Sequence, residues 1–289
     1  MKTITTINDK NLRKLYNTGQ LSRKDFSNIL GYESEWINNT INMGFTKKKS
    51  TFYFIKKIQT KIYLTLIKKY INPTRKLKIL DFGGGIGRFI PFFINKDCHY
   101  DFVESCKTNI DFAFRNTNKN SKINFYWQTL ESFKSNIKYD LILAPEIICY
   151  HKAPVLLIKQ LRNLLTPTGI IFFSVENISC SELFYQAKLK TLSNSKSFPY
   201  LLYEKNNYYV RPTTHKLFIS CLKTNKLTIL KSNYIFNKLE GKNYNQLNIN
   251  QLNDYDYYKK IISEESNITK QTASHNCRAI YAIVKLQEK

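Results

Sequence analysis

The chain has few acidic residues, only two tryptophans and no long apolar run. Its six cysteines are scattered and no two form a C-x-x-C pair, so neither a zinc site nor a disulfide framework is expected. No stretch of about 18 residues is free of charge, which argues against a transmembrane helix. The N-terminus, MKTITTINDK, lacks the apolar segment of a secretory signal. A reducing, cytoplasmic compartment is the simplest interpretation.

The length and composition indicate a folded protein. The 289 residues correspond to one or two domains. Hydrophobic residues make up 43% and aromatic residues 14% of the chain, a composition that excludes wholesale disorder. A chain of this length can bury enough surface to fold without disulfide or metal cross-links.

The net charge of +24 permits two interpretations. Taken alone, it indicates an anionic partner such as nucleic acid. However, only 8 of the 45 basic residues are arginine, and asparagine, isoleucine and tyrosine are abundant. These residues and lysine have AT-rich codons, whereas nucleic-acid and phosphate sites tend to use the arginine fork. Compositional bias is therefore our preferred source of the charge, and nucleic-acid binding is possible but not favoured.

Three regions differ in pattern. Residues 1–72 have mostly helical periodicity, residues 73–178 alternate apolar runs with helical stretches, and residues 179–289 are richer in tyrosine and asparagine. No internal repeat is visible. The Asn/Tyr-rich stretch at 242–260 is predicted to be a solvated loop or insertion.

The middle region has the pattern of repeated βα units. A helix is predicted at 155–165, and five short apolar runs are predicted to be strands, at 78–82, 100–104, 123–127, 139–144 and 170–175. Strands that alternate with helices indicate a parallel sheet covered on both faces, and continuously apolar strands fit that burial.

A glycine-rich loop, DFGGGIG at 81–87, follows the first of these strands. Glycines let the backbone turn sharply and approach a ligand, and the loop amides can face a polar or anionic group. A dinucleotide-binding loop requires G-x-G-x-x-G. Counted from Gly83, the position where that motif needs its last glycine is Arg88, so this interpretation fails on spacing.

The arrangement D-x-G-x-G-x-G after a first strand resembles the S-adenosylmethionine motif of class I methyltransferases, with matches at Asp81, Gly83, Gly85 and Gly87. The resemblance covers about residues 76–177. It implies a Rossmann-like α/β fold with a mostly parallel sheet of seven strands, the last antiparallel, N-terminal helices and an insertion after the fifth strand. The implied cofactor is S-adenosyl-L-methionine, bound by these residues and Gly84.

The same resemblance assigns further cofactor contacts. Glu104 ends the second strand, 23 residues after Asp81, where the family places the acid that binds the cofactor ribose. After the third strand the family often has an acidic residue near the adenine amino group. This chain has Thr129 there instead, so Thr129 or the backbone of Leu130 is expected to substitute. Ala144 is the small residue that ends the fourth strand.

Candidate bases follow the fourth strand. The segment from Glu146 to His151 resembles the family's acid-apolar-x-x-His pattern, and many small-molecule methyltransferases have such a histidine. Histidine side chains titrate near neutral pH, so His151 is the first candidate to take the proton of a hydroxyl acceptor and Glu146 the second. Packing or capping is the alternative role for His151. His215 could face the acceptor or cap a helix.

Motifs typical of nucleic-acid methyltransferases are missing from the sequence, which limits the classes of acceptor to consider. The fourth strand lacks the Asn/Asp-Pro-Pro-aromatic run of amino-methylating nucleic-acid enzymes. No Pro-Cys pair marks Cys149 as a cytosine-carbon nucleophile, and a buried packing role is expected for it. Residues 12–43 loosely resemble a helix-turn-helix, but the second helix carries acidic residues and a tryptophan rather than a basic face.

We therefore expect an N-terminal helical cap at 1–72 and a methyltransferase domain at 73–289, with insertions that cover the acceptor at about 179–213 and 240–274. Two further strands are predicted, at 227–236 and 277–286. The expected activity is methyl transfer to a hydroxyl or amine of a small molecule or a glycan or lipid precursor. An RNA or protein methyltransferase and a non-catalytic binding module that keeps the fold are the alternatives.

Overall fold

A computed structural model describes residues 5–6, 51–71, 76–117, 123–151, 153–180, 188–191, 196–203, 209–236, 255–266 and 277–288. Eleven strands lie in these ranges: β1 (Thr5–Thr6), β2 (Leu77–Phe82), β3 (Cys98–Glu104), β4 (Ile123–Trp127), β5 (Tyr139–Pro145), β6 (Leu165–Glu176), β7 (Lys188–Thr191), β8 (Tyr200–Tyr203), β9 (Tyr209–Val210), β10 (Leu227–Ile235) and β11 (Ala279–Leu286). The α-helices are α1 (Thr51–Lys68), α2 (Ile90–Phe93), α3 (Lys107–Arg115), α4 (Pro154–Asn163), α5 (His215–Thr224) and α6 (Tyr255–Ser266).

The main sheet has the strand order β1-β4-β3-β2-β5-β6-β11-β10. All neighbouring pairs from β1 to β6 are parallel. Only β11 runs the other way, antiparallel to both β6 and β10. The expected Rossmann-like fold is therefore confirmed, with all seven predicted strands present and the last one antiparallel. Residues Thr5–Thr6 add an eighth strand beside β4, within the region 1–72 that was predicted to be mostly helical.

Both faces of the sheet are buried, which explains why its central strands are apolar without alternation. In β2, Ile79 belongs to one hydrophobic cluster and the adjacent Leu80 to the other. The first cluster contains the buried face of α1, with Ile58 and Ile62 fully buried. The second contains apolar residues of α4 and α5. The predicted helix at 155–165 is thus confirmed in position, although it ends at Asn163.

The order of the strands reverses between β2 and β5. From β2 the chain continues to β3 and β4 on one side, then returns to β5 and β6 on the other. In open α/β sheets, ligands bind outside the carboxyl ends of the strands at such a reversal. The glycine loop follows β2 directly, so it lies at this crevice.

Two segments differ from the sequence predictions. The predicted loop at 242–260 is wrong over its last part, because Tyr255–Ser266 forms α6. In this helix Ile261 and Glu265 are buried, four residues apart on one face, and the Glu265 carboxylate accepts a 3.0 Å hydrogen bond from the Phe236 amide. Strand β6 begins at Leu165, earlier than predicted, because the T-P-T-G stretch at 166–169 bulges within the strand instead of preceding it.

The region after β6 contains a separate antiparallel sheet, β7-β8-β9. It belongs to the segment predicted as an insertion. The end of that segment rejoins the main sheet, because Asn177 and Thr213 form a β-bridge and the Arg211 amide donates to the Cys149 carbonyl at 2.6 Å. The helix-turn-helix-like residues 12–43 lie outside the described part of the chain.

All six cysteines are buried free thiols, which a reducing compartment permits, and the cytoplasmic location stays a prediction. Among the residues that the structure describes, no helix combines the length and apolar character needed to cross a membrane.

Candidate cofactor and acceptor site

The glycine loop is fixed to the neighbouring strand and open on its other side. The amides of Gly83 and Gly84 both donate to the carbonyl of Val103 in β3, at 2.8 and 3.1 Å. Gly83, Gly85 and Gly87 have positive φ angles of 71°, 57° and 79°, which favour glycine. A Cβ atom at Gly85 would meet no atom of the described residues within 4 Å, so a ligand can approach the backbone here.

Glu104 connects the end of β3 to this loop. Its Oε2 accepts a hydrogen bond from the Gly85 amide at 2.7 Å, and its Oε1 accepts one from the Cys106 amide at 2.8 Å. Burial raises the pKa of this carboxyl, while the backbone donors pull it back down. The acid predicted to bind the ribose thus stands beside the glycine that has open space above it.

Asp81 is the next-to-last residue of β2, and one of its carboxylate oxygens has no hydrogen-bond partner among the described residues. The Tyr100 hydroxyl donates to its Oδ2 at 2.7 Å, but its buried Oδ1 has no hydrogen-bond partner among the described residues. Burial raises the pKa of Asp81 to about 7, against opposing effects of the Tyr100 hydrogen bond and of Arg88. A buried acceptor of this kind needs a donor. The residues present therefore fit a cofactor that brings an ammonium group and sugar hydroxyls.

The loop after β4 begins beside Glu104, whose carbonyl accepts a hydrogen bond from the Gln128 amide at 3.2 Å. Thr129 and Leu130 follow and are half-buried. The Thr129 carbonyl accepts from the Ser132 amide at 3.1 Å. The structure thus brings both residues close to the cofactor loop, and their contact with adenine stays a prediction.

Ala144 is fully buried near the end of β5. The residue before it, Leu143, is paired with Asp81 of β2, so Ala144 lies in the strand next to the glycine loop. Its role in lining the cofactor site stays a prediction.

Glu146 follows β5 in a strained conformation with φ of 57°. Its Oε2 lies 3.5 Å from the Lys56 ammonium and 3.8 Å from the Arg88 guanidinium, and its Oε1 is 3.5 Å from the Tyr63 hydroxyl. Burial alone would raise the pKa of Glu146, but Lys56, Arg88 and Arg278 lower it to about 2. A carboxylate with so low a pKa is a weak base, and this pKa does not support the predicted role of Glu146 as a catalytic base.

His151 is buried and both of its ring nitrogens are in contact with protein atoms. Nδ1 accepts a 3.0 Å hydrogen bond from the Ala153 amide, just before α4 begins. Nε2 lies 2.7 Å from Oε1 of Glu131 in the loop after β4. Nε2 has no hydrogen-bond partner among the described residues despite this short distance. The role of His151 as a base stays a prediction.

His215 and Cys149 were also considered in the sequence analysis, and both lie among other protein groups. Thr214, not His215, caps α5, because its hydroxyl accepts from the Leu217 amide at 3.2 Å. The His215 Nε2 lies 3.2 Å from the Ser232 hydroxyl. Cys149 is fully buried, and burial raises the pKa of its thiol well above the usual range.

Sequence reasoning missed a polar network at the ends of β5 and β6. The Arg278 guanidinium makes a bidentate contact with the Glu176 carboxylate at 2.9–3.2 Å, and the Tyr150 hydroxyl donates to the same carboxylate at 2.9 Å. Five described residues are arginines, and two of them, Arg88 and Arg278, form ion pairs here. The scarcity of arginine in a lysine-rich chain is a sequence signal that could have found them.

Comparisons with known proteins agree with this geometry. A family described as "Methyltransferase domain" matches residues 54–219, more than half of the chain. The ubiquinone biosynthesis O-methyltransferase of Rickettsia canadensis is 25% identical over 158 residues, which cover 54% of this chain and 64% of that protein. The corresponding protein of Rickettsia typhi is also 25% identical, over 54% and 62%. The chain thus matches less than two thirds of the length of these relatives.

Solved structures show the same fold at low identity. The 1,6-didemethyltoxoflavin-N1-methyltransferase of Burkholderia thailandensis, bound to its ligand and S-adenosylhomocysteine, has a TM-score of 0.54 and 12% identity, over 92% of this chain and 91% of that one. An S-adenosylmethionine-dependent methyltransferase of Leishmania major has a TM-score of 0.56 and 14% identity, over 95% and 91%.

The chain belongs to the methyltransferase domain family. Its fold is that of S-adenosylmethionine-dependent class I methyltransferases.

Proposed function

We propose that the enzyme methylates a hydroxyl or amine of a small molecule or of a glycan or lipid precursor. The observation that carries this proposal is the segment after β6, which forms the β7-β8-β9 sheet and returns to the ends of β5 and β6 through Arg211 and Thr213. An insertion tied to the carboxyl ends of these strands suits a covered acceptor site better than an open groove for a polymer. The small-molecule acceptors in the names of the relatives agree with it.

The chain's contribution to the reaction is mainly alignment. The cofactor supplies a methyl group already activated on a sulfonium, so the protein needs to hold the two reactants in line. Asp81, Glu104 and the glycine loop hold the cofactor side of the crevice. A hydroxyl acceptor would need a base, for which His151 and Glu146 are the predicted residues. Both already bind other groups, so we give proximity the larger part of the rate enhancement.

The test is methyl transfer from labelled S-adenosylmethionine to separate cell fractions of small polar molecules, lipids, nucleic acids and proteins. We expect label in the small-molecule or lipid fraction. The Gly85→Val variant, which places a side chain in the open space beside the loop, is the control and should give none. Label confined to RNA or protein would replace this proposal with the corresponding alternative.

A further inference from the structure

The connection between β4 and β5 begins directly beside the predicted ribose ligand. The Gln128 amide donates to the Glu104 carbonyl, and farther along the Phe133 ring is buried against the rings of Phe82 and Tyr126. The segment from Gln128 to Phe133, called the β4 loop below, therefore starts at the end of β3 and finishes in the hydrophobic core.

Gln160 of α4 holds the backbone of the β4 loop at two points. Its Nε2 donates to the Leu130 carbonyl at 3.0 Å and to the Phe133 carbonyl at 2.9 Å. Because both partners are acceptors, only the nitrogen of the side-chain amide can face them, and both of its hydrogens are used. One side chain from beyond β5 thus fixes two carbonyls that lie three residues apart in the loop.

A turn within the loop fixes a third carbonyl. The amide and the hydroxyl of Ser132 both donate to the Thr129 carbonyl, at 3.1 and 2.9 Å. The C=O and N–H groups of a trans peptide point in opposite directions, so this contact directs the Leu130 amide away from the inside of the turn. Among the residues that the structure describes, no acceptor receives the Leu130 amide. The loop therefore presents a backbone donor whose direction is set by its bound carbonyls.

The strand order brings this donor to one end of the expected cofactor. Strands β2, β3 and β4 are neighbours, and Asp81, Glu104 and the β4 loop lie at or next to their carboxyl ends. A cofactor with its ammonium group at Asp81 and its sugar at Glu104 is directed across the edge of the sheet toward β4. The base attached to that sugar then meets the β4 loop.

We propose that Gln160 is a positioning residue for the adenine of S-adenosylmethionine. It does not touch the cofactor, and it acts by holding the β4 loop so that the Leu130 amide faces a ring nitrogen of the base. Such a donor selects a base with a lone pair at that nitrogen. Adenine has one at N1, whereas hypoxanthine carries a hydrogen there. The proposal rests on the cofactor that the fold implies and is independent of the class of acceptor.

Two variants of Gln160 and one control separate this role from packing. Gln160→Met keeps an unbranched side chain of similar length and removes both donated hydrogen bonds. Gln160→Glu keeps the shape and places a carboxylate oxygen against the two carbonyls at neutral pH. Arg162→Met is the matched control, because Arg162 also lies in α4 and donates to a main-chain carbonyl, that of Asn225 at 3.2 Å. Asn225 precedes β10, at the opposite edge of the sheet from β4.

The measurement is calorimetric titration with S-adenosylhomocysteine and S-inosylhomocysteine, which differ only in the base. We expect the wild type to bind the adenine ligand about tenfold more tightly, the scale of one hydrogen bond whose donor is otherwise left unpaired. Both Gln160 variants should bind S-adenosylhomocysteine about tenfold more weakly and S-inosylhomocysteine within about twofold of the wild type, so that the preference is lost. Arg162→Met should keep both wild-type affinities.

Hydrogen exchange and denaturant unfolding distinguish positioning from a general loss of stability. Amides of the β4 loop should exchange faster in Gln160→Met than in Arg162→Met, while the unfolding midpoints of the two variants stay close.

Wild-type affinity and selectivity in both Gln160 variants would overturn the proposal. Equal weakening of the two ligands would also overturn it, because it would assign Gln160 to stability alone, and so would a wild type without preference for the adenine ligand. A wild type that binds neither ligand would remove the cofactor assignment and this proposal with it. An acceptor found in RNA or protein would change only the proposed acceptor.

Discussion

At the residue scale, the raised pKa of Asp81 predicts a pH dependence of cofactor binding. Its pKa is about 7 in the protein because the carboxyl is buried and Oδ1 lacks a partner among the described residues. Cofactor binding brings positive charge to this carboxyl and favours its ionised form. We expect the affinity for S-adenosylhomocysteine to fall by up to about tenfold from pH 8 to pH 6, as Asp81 becomes protonated. Calorimetry across this range tests it, and Asp81→Asn should lose the dependence.

The raised pKa of Asp81 also makes the stability of the folded protein depend on pH. Asp81 has a folded pKa of about 7 and an ordinary value of 3.8, so between these pH values the folded protein binds more protons than the unfolded chain. The contribution of this group to stability is therefore greatest below about pH 4 and is lost as pH rises toward 7. Without cofactor, the melting temperature of Asp81→Asn relative to the wild type should increase over that interval. A constant difference would contradict the assignment of the shift to Asp81.

Glu104 permits a second prediction at this scale. Its carboxylate holds the Gly85 and Cys106 amides and is predicted to bind the ribose. We expect Glu104→Ala to weaken S-adenosylhomocysteine binding by about 1.5–3 kcal/mol, the range for a charge-assisted hydrogen bond. Glu104→Gln, which keeps an acceptor oxygen of the same shape, should lose less. Equal affinity of the alanine variant and the wild type in calorimetry would remove Glu104 from the cofactor site.

At the scale of elements, two adjacent glycines of the loop are required for different reasons: Gly84 for packing against the core and Gly85 for access of the cofactor. A Cβ at Gly84 would lie 2.2 Å from the buried Phe102 ring, whereas one at Gly85 would enter open space. We expect Gly84→Ala to lower the free energy of unfolding by about 1–3 kcal/mol through overpacking. Gly85→Val should mainly abolish cofactor binding, with a smaller cost from its positive φ. Denaturant unfolding and calorimetry together separate these effects, and an equal stability loss in both variants would contradict the distinction.

Elements with a strong local pattern were predictable, and elements defined by distant contacts were not. The central strands are apolar on both faces and the glycine loop is contiguous, so both follow from short segments. Helix α6 was missed because its buried face includes the charged Glu265, whose partner is the distant Phe236 amide. The contact of Glu146 with Lys56 and that of His151 with Glu131 likewise join segments far apart in the chain.

At the scale of the whole molecule, some described basic residues pair with mostly buried carboxylates and others lie on the surface. Arg88 and Arg278 are mostly buried and form ion pairs with Glu146 and Glu176. Lysines such as Lys57, Lys61 and Lys68 of α1 are exposed. The separation is not strict, because Lys56 also pairs with Glu146 and Arg115 is exposed. Exposed lysines outside the site agree with compositional bias as the main source of the net charge.

The last prediction concerns what that charge does in solution. A surface of exposed lysines without a dedicated site should attract RNA weakly and without structural selectivity. Any binding should fall steeply with salt, because each neutralised phosphate releases counterions, and six to ten such contacts lose about 10³–10⁵-fold in affinity between 50 and 200 mM salt. Fluorescence anisotropy with a labelled hairpin and a labelled single strand, at both salt concentrations, measures this. Similar weak affinities at 50 mM and none at 200 mM are expected. Tight hairpin-selective binding that persists at 200 mM would make RNA the favoured acceptor.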